Sequence, residues 1–248
     1  MHPRAEIEVI ETKLFAGAVA DEIVASVGDV ISERGSCSLV LSGGSTPASV
    51  YRALSRPPRV EEVDWHSTRI FWGDERWVPQ DHHLSNFRMA QETLLGHLPA
   101  GSARAFPIDT TLGTPEEGAR RYAETLLNAG LPARDGLPVF DIVLLGMGED
   151  GHFASLYPGS ELLTAENWIC APSKHPAQEI WRVTLSPRVL LSAHRVFFII
   201  SGERKAEVVK RVLNQESEIE HLPARLYENA AARVTWFLDS AASQRLPR

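Results

Sequence analysis

Residues 140–152 read FDIVLLGMGEDGH, an apolar run that stops at a glycine-rich loop. A short apolar run bounded by glycine is typical of a strand that is buried on both faces. The loop after it carries an acid and a histidine, Asp150 and His152, two positions apart. This stretch therefore predicts a core strand that delivers ionisable side chains to its carboxyl end.

The same pattern recurs three more times along the chain. Apolar runs at residues 38–41, 69–72 and 195–200 each end at a serine or glycine loop. Helices are predicted before, between and after these apolar runs. They cover residues 12–34, 86–95, 115–128 and 203–213. Thr46 is expected to cap the helix after the first loop, and Ser85 to cap a later one.

Strands that alternate with helices predict an α/β fold with a mainly parallel, doubly wound sheet and helices on both faces, a Rossmann-like three-layer architecture. Ligands bind such sheets beyond the carboxyl ends of the strands. The loops after residues 41, 72, 145 and 200 are therefore expected to meet in one crevice. No composition shift separates two domains, so residues 1–248 are expected to form a single domain.

Composition excludes several classes of protein. The chain has 25 Lys and Arg against 32 Asp and Glu, a net charge of −7 without a long basic run, so we expect no nucleic-acid partner. Its two cysteines, Cys37 and Cys170, are too few for a disulfide framework or a cysteine zinc site. No apolar segment is long enough for a bilayer or resembles a signal peptide. The expectation is a cytoplasmic protein with no membrane partner, no metal and no cofactor, and with homo-oligomer formation left open.

The first loop offers backbone N–H groups and hydroxyls at the start of a helix, a combination that suits a phosphate. The alternative is a tight strand-to-helix turn without a ligand. The candidate binding residues here are Ser42, Gly43, Gly44 and Ser45.

The second loop, residues 72–79, places charges directly after a buried strand. Arg76 could present its planar fork to a phosphate, while Asp74 or Glu75 could bind sugar hydroxyls or hold the arginine. Asn86 and Arg88, at the start of the next helix, are further candidates for polar contacts with a ligand. A surface salt bridge is the alternative for the charged pair.

The third loop satisfies the G-x-G-x-x-G pattern, which makes a dinucleotide site a competing hypothesis. That fingerprint requires a long helix directly after it, and Pro158-Gly159 would interrupt such a helix early. His152 could also be an ordinary buried histidine. Its place beside Asp150 in a glycine-rich loop instead favours a general base, since neutral imidazole accepts a proton near pH 7.

Two cations complete the set of candidates. Lys205 falls in the first turn of a predicted helix, which is unfavourable for the helix dipole unless an anion is bound there. Arg182 lies on an otherwise apolar strand predicted over residues 181–185. For each cation, surface exposure is the alternative.

Taken in order, these segments resemble the 6-phosphogluconolactonase family from about residue 41 to residue 225. The motifs that carry the resemblance are LSGGSTP at residues 41–47, WGDER at 72–76, SNFR at 85–88, GMGEDGH at 146–152, ASLYPG at 154–159 and SGERK at 201–205. The resemblance implies hydrolysis of a phosphorylated sugar lactone, with His152 as general base and Asp150 orienting the base or the substrate.

By the same resemblance, Arg76 and Lys205 would hold the phosphate or the sugar, and the remaining candidates would line the pocket. The chain departs from the family pattern at Phe153, where a small hydroxyl residue is expected, and at Tyr157, where phenylalanine is more usual. Phe153 removes a potential hydrogen bond beside His152.

Two other functions fit parts of this pattern. A glucosamine-6-phosphate deaminase or isomerase shares the general loop arrangement, but needs a further acid or base to move a proton between carbons. A non-catalytic phosphosugar-binding protein would keep the glycine loop and the cations and would not need His152.

Overall fold

A computed structural model describes residues 5–247 of the chain; the expected domain bounds of 1–248 extend beyond them at both ends. Its central sheet has seven strands, all parallel, in the order β1 (Glu6–Ile10), β12 (Arg233–Asp239), β11 (Arg195–Ile200), β8 (Ile142–Leu145), β2 (Cys37–Leu41), β3 (Thr68–Trp72) and β5 (Arg104–Phe106). The four strands predicted for this sheet lie next to one another at its centre.

Every residue of β2 and β8 is buried, so both faces of the sheet are covered. The covering helices are α1 (Phe15–Arg34), α2 (Ser45–Leu54), α3 (Arg59–Glu62), α4 (Asn86–Thr93), α5 (Pro115–Asn128), α6 (Pro187–Leu191) and α7 (Ala206–Leu213). The predicted three-layer α/β architecture is confirmed. Among residues 5–247, no helix combines the length and the apolar character needed to cross a bilayer.

Two helix starts differ from the prediction. Thr46 does not cap α2, because the helix already begins at Ser45 and its N-cap is Gly44, whose φ of 103° suits glycine. The helix predicted over residues 203–213 begins instead with a 3-10 turn, Glu203–Lys205, before α7. The predicted cap Ser85 is confirmed, since its side chain accepts a hydrogen bond from the backbone N–H of Arg88.

A second, antiparallel sheet adjoins the carboxyl edge of the central one. It contains three strands, in the order β4 (Asp74–Arg76), β10 (Trp181–Leu185) and β9 (Cys170–Lys174). The strand predicted over residues 181–185 is confirmed as β10, whereas β4 and β9 were not predicted. The connector at residues 131–138 forms a small hairpin of β6 (Ala133–Arg134) and β7 (Leu137–Pro138). The small three-stranded sheet carries polar residues from distant parts of the sequence to one place.

The order of the central strands reverses between β2 and β8, and this switch point places the loop after β2 beside the loop after β8. The backbone N–H of Gly146 donates a hydrogen bond of 3.1 Å to the hydroxyl of Ser42 across the gap. At the opposite end of the same strand pair, the buried carboxylate of Asp141 accepts from the backbone N–H and the hydroxyl of Ser38, at 2.8 and 2.7 Å. Bonds at both ends therefore fix how the two loops face each other.

Asp141→Ala should lower the free energy of unfolding by about 1–3 kcal/mol, because it leaves the buried N–H of Ser38 without its acceptor. Urea unfolding measures the change. Asp21→Ala is the control, since Asp21 is 61% exposed and pairs with Arg59 at the surface, where a single ion pair contributes about 0–1 kcal/mol. Equal losses in the two variants would contradict this role for Asp141.

Candidate active site

A cavity of about 230 Å³ opens at the carboxyl edge of the central sheet. The loops after β2, β3, β8 and β11 all contribute to its wall, so the predicted convergence of these loops is confirmed. Of the candidate residues, those that line the cavity are Ser42, Gly43, Gly44, Ser45, Asp74, Arg76, His152, Arg182 and Lys205. Its polar wall suits a small, charged, hydroxylated molecule.

The imidazole of His152 is held by the acid two residues before it. Its Nδ1 lies 2.6 Å from Oδ1 of Asp150, and the same oxygen accepts the backbone N–H of His152 at 3.2 Å. A carboxylate at this distance favours the tautomer with the proton on Nδ1, which leaves Nε2 free to accept a proton. Asp150 itself is not part of the cavity wall, so its position fits orientation of the imidazole.

The charge state of Asp150 is fixed by this pair. Partial burial by itself would raise the pKa of Asp150, but the hydrogen bonds and the charge of His152 outweigh it and hold the pKa at about 2. The carboxylate of Asp150 is therefore ionised near neutral pH.

Gly148 makes room for this pair. A Cβ on Gly148 would lie 2.1 Å from Nδ1 of His152 and 2.3 Å from Oδ1 of Asp150, far inside van der Waals contact. The backbone N–H of Gly148 also donates to the carbonyl of His152 at 2.8 Å. The glycine-rich sequence here serves close packing around the histidine.

Two arginines face each other across the small sheet. Arg76 on β4 and Arg182 on β10 are direct cross-strand partners, and both line the cavity. Like charges placed opposite one another are destabilising. Each guanidinium donates one hydrogen bond, from Arg76 to the carbonyl of Leu84 and from Arg182 to Gln178. Each also has a buried Nε without a partner among residues 5–247. The pair therefore brings two positive charges to the cavity wall.

Lys205 enters the cavity from the 3-10 turn after β11. Burial lowers the pKa of its ammonium, and the nearby carboxylates of Glu149 and Asp150 oppose this shift. The cavity therefore holds three cationic side chains in a protein whose net charge is −7.

The glycine loop approaches its neighbours closely. A Cβ on Gly43 would lie 2.0 Å from Oδ1 of Asn86. Because Gly43 has no side chain, its backbone reaches both the cavity and the start of α4. The hydroxyl of Ser42 accepts the N–H of Gly146, so it joins two loops as well as lining the cavity.

Two candidate residues lie elsewhere. Arg88 is outside the cavity, because its guanidinium pairs with Glu92 one turn along the same helix and with the carbonyl of Asp81. Asn86 is behind the wall: it is buried and donates its amide to Asp74, at 2.9 Å to the carbonyl and 3.3 Å to the carboxylate. Their place at the start of a helix suggested both residues. The first turn of α4 directs Arg88 to the surface and Asn86 to the back of the wall residues Gly43 and Asp74.

The carboxylates of the WGDER segment have separate tasks. Glu75 is buried and accepts the backbone N–H groups of Arg76, Asn86 and Phe87, so it anchors the start of α4. Burial raises the pKa of Glu75, and these N–H donors oppose the shift. Asp74 faces the cavity and accepts the hydroxyl of Ser155 at 2.7 Å.

The dinucleotide hypothesis is wrong, because no helix follows the G-x-G-x-x-G loop before the short 3-10 turn Glu161–Leu163. Phe153 is fully buried and packs edge-on against Phe198, so it belongs to the core.

Sequence reasoning missed several wall residues, namely Thr46, Pro47, Gly146, Met147, Gly148, Ala154, Ile199, Ile200 and Ser201. Ile199 and Ile200 end a predicted strand, and the others lie in or beside the predicted loops, which was the available signal. No cluster of three or more His, Cys, Asp or Glu with metal-binding geometry occurs in the described part of the chain.

The family model for glucosamine-6-phosphate isomerases/6-phosphogluconolactonase matches residues 11–236 of the chain. A 6-phosphogluconolactonase of Synechocystis sp. is 30% identical over 99% of both chains. This chain belongs to the 6-phosphogluconolactonase family. A further member, from Streptomyces coelicolor, is 32% identical over 96% of this chain and 93% of its own.

Solved structures agree with this assignment. The 6-phosphogluconolactonase from Trypanosoma cruzi superposes with a TM-score of 0.86 at 29% identity, covering 100% of this chain and 99% of its own. That of Trypanosoma brucei gives 0.84 at 32% identity, with 98% and 99% covered. A monomeric glucosamine-6-phosphate deaminase shares the fold, with a TM-score of 0.79 at 24% identity over 97% and 99% of the two chains. As a member of the 6-phosphogluconolactonase family, the chain is an enzyme of the hydrolase class.

Gly148→Ala should separate the imidazole from its carboxylate, because the new methyl group needs the space that Nδ1 and Oδ1 occupy. The ¹⁵N chemical shifts of the His152 imidazole, which report the tautomer, should change. Gly28→Ala is the control, since a Cβ there meets nothing within 4 Å. Unchanged shifts in Gly148→Ala would show that the pair does not depend on this glycine.

Proposed function

We propose that this hydrolase converts 6-phospho-D-glucono-1,5-lactone to 6-phospho-D-gluconate, the second step of the oxidative pentose phosphate pathway, with His152 as general base. The observation that carries the proposal is the placement of the His152 imidazole, oriented by Asp150, on the wall of a cavity that also holds Arg76, Arg182 and Lys205. Family membership supports lactone hydrolysis, and the geometry supports the histidine mechanism.

The proposed reaction needs one base that can become an acid. Nε2 of His152 takes a proton from water as the water oxygen bonds to the lactone carbonyl carbon, which gives a tetrahedral oxyanion. The oxyanion then collapses, the bond to the ring oxygen breaks, and the imidazolium returns the proton to that oxygen. The ionised carboxylate of Asp150 stabilises the imidazolium between the two transfers.

Substrate binding is assigned to the cations. A phosphate or the developing oxyanion placed between Arg76 and Arg182 would relieve their mutual repulsion. Lys205 adds a third positive charge, and the glycine loop Ser42 to Ser45 adds backbone N–H groups at the start of α2. Asp74 lies on the same strand as Arg76 and can accept a hydrogen bond from a sugar hydroxyl.

We propose that residues 1–248 act as one domain. We also propose that the reaction needs no metal or other cofactor, because His152 can carry the proton in both transfers and N–H donors can stabilise the oxyanion. We also propose a cytoplasmic enzyme without nucleic-acid or membrane partners. The two cysteines are both unpaired, which fits a reducing compartment.

The alternative of a deaminase or isomerase requires a further acid or base in the cavity. The ionisable side chains among the described wall residues are Asp74, Arg76, His152, Arg182 and Lys205. Asp74 is the remaining carboxylate, and it already accepts Ser155 and Asn86. This arrangement favours hydrolysis.

His152→Ala should lower kcat for the lactone by about 10²–10⁴-fold, the usual contribution of a general base. Acid release from freshly generated lactone, corrected for the rate in buffer, measures it, and a chelator should leave the wild-type rate unchanged. His97→Ala, at an exposed histidine, is the control. A wild-type rate in His152→Ala would remove the imidazole from the mechanism.

Lys205 should make substrate binding depend on pH. Because burial lowers its pKa, the ammonium is charged at low pH and loses its proton earlier than an ordinary lysine as the pH rises. KM for the phosphorylated lactone should therefore rise at alkaline pH, while KM for unphosphorylated gluconolactone should change little.

Lys205→Arg is the matched variant, since a guanidinium stays charged over this range. Its KM should stay flat as the pH rises. An equal alkaline rise of KM in Lys205→Arg and the wild type would show that another group causes the effect.

A further inference from the structure

Three aromatic rings pack in a row beside the site, tilted or edge-on to one another. The ring centroids of His152 and Tyr157 are 4.8 Å apart at an interplanar angle of 52°, and those of Tyr157 and His175 are 4.8 Å apart at 65°. Tyr157 is 2% exposed and lies between the two histidines. The imidazole of His152 is therefore confined by Asp150 at Nδ1 and by the ring of Tyr157 beside it.

The same tyrosine ring contacts a cation of the cavity. The guanidinium carbon of Arg182 lies 5.9 Å from the centroid of the Tyr157 ring, within the range of a cation–π interaction. Arg182 is a buried wall residue, and Gln178 accepts one of its N–H groups. One side chain thus contacts both the group assigned to proton transfer and a group assigned to substrate binding.

The backbone before Tyr157 holds it in this position. Ala154 takes a φ of +47°, which costs a non-glycine residue free energy and persists only where the surroundings impose it. The chain then turns back, with the N–H of Leu156 donating to the carbonyl of Phe153 at 3.0 Å. The hydroxyl of Ser155 donates a hydrogen bond to the carboxylate of Asp74 on β4. The turn is therefore anchored at several points, and it directs the ring of Tyr157 toward His152.

The hydroxyl of Tyr157 does not explain the choice of residue. It is buried and meets no partner at good hydrogen-bond geometry among residues 5–247. Burial raises the pKa of Tyr157, with the charge of Arg182 and the nearby hydroxyl of Ser155 opposing the shift, so the phenol stays neutral. A buried hydroxyl without a partner does not stabilise the fold. The contribution of Tyr157 therefore comes from the contacts of its ring with His152, His175 and Arg182.

We propose that Tyr157 is a positioning residue, whose ring sets the orientation of both the His152 imidazole and the Arg182 guanidinium. The inference rests on the proposed function of His152 and Arg182. Tyr157 does not touch the substrate in this account. It acts by keeping the base and one cation in fixed relation, so that bound substrate meets a correctly oriented Nε2.

Three variants test the proposal. Tyr157→Phe keeps the ring and should keep kcat and KM within about twofold, with an unchanged or higher Tm. Tyr157→Met replaces the ring with a flexible apolar side chain and should lower kcat by about 10- to 100-fold, the cost of a small misplacement of a catalytic group, and should also raise KM. Tyr157→Leu is a second variant without a ring, in case the first is poorly folded.

Tyr227→Met is the matched control. Tyr227 packs its ring on Trp236, away from the cavity, so its loss should lower Tm without changing kcat or KM. The ¹⁵N shifts of the His152 imidazole should match the wild type in Tyr157→Phe and Tyr227→Met, and should differ in Tyr157→Met. Wild-type kinetics and shifts in both ringless variants would overturn the proposal.

The readouts also separate this proposal from the proposed function. If the wild-type protein failed to hydrolyse the lactone, the proposed function would be wrong. The imidazole shifts of the unliganded protein would still report whether Tyr157 orients His152. If the wild type hydrolysed the lactone and the ringless variants did so equally well, the positioning role alone would be wrong.

Discussion

Parallel pairing of β2 with β8 at the centre of the sheet is the constraint on which the site depends. It places the glycine loop and the histidine loop side by side at the carboxyl edge, on either side of the point where strand order reverses. Hydrogen bonds of Asp141 to Ser38 at one end, and of Gly146 to Ser42 at the other, keep this register. A slip by one residue would turn the side chains of these loops to the other face of the sheet.

The small antiparallel sheet adds what the central sheet does not supply. Its pairing of β4 with β10 brings Arg76 and Arg182 together although more than a hundred residues separate them. The cavity wall also holds the imidazole of His152, which lies against the ionised carboxylate of Asp150. The protein is acidic overall, so the positive charge of the cavity comes from this local group of cations.

The sequence predicts the central sheet and most of the cavity wall, because apolar runs that end in glycine or serine loops mark the carboxyl ends of buried parallel strands. Strands 68–72 and 195–200 and their loops were predictable for this reason. Arg88 and Asn86 were wrong as cavity residues, since the direction of a side chain in the first turn of a helix depends on how the helix packs. The contact of Tyr157 with His152 was not predictable either, because it depends on the unusual φ of Ala154.

A crystal structure with bound 6-phosphogluconate tests the central claim most directly, namely that one imidazole and three cations surround the same small anion. Phosphate oxygens of the bound product should contact Arg76, Arg182 or Lys205. The product carboxylate should lie at hydrogen-bond distance, about 2.6–3.2 Å, from Nε2 of His152. A product molecule bound away from the cavity, or with its carboxylate directed away from His152, would contradict it.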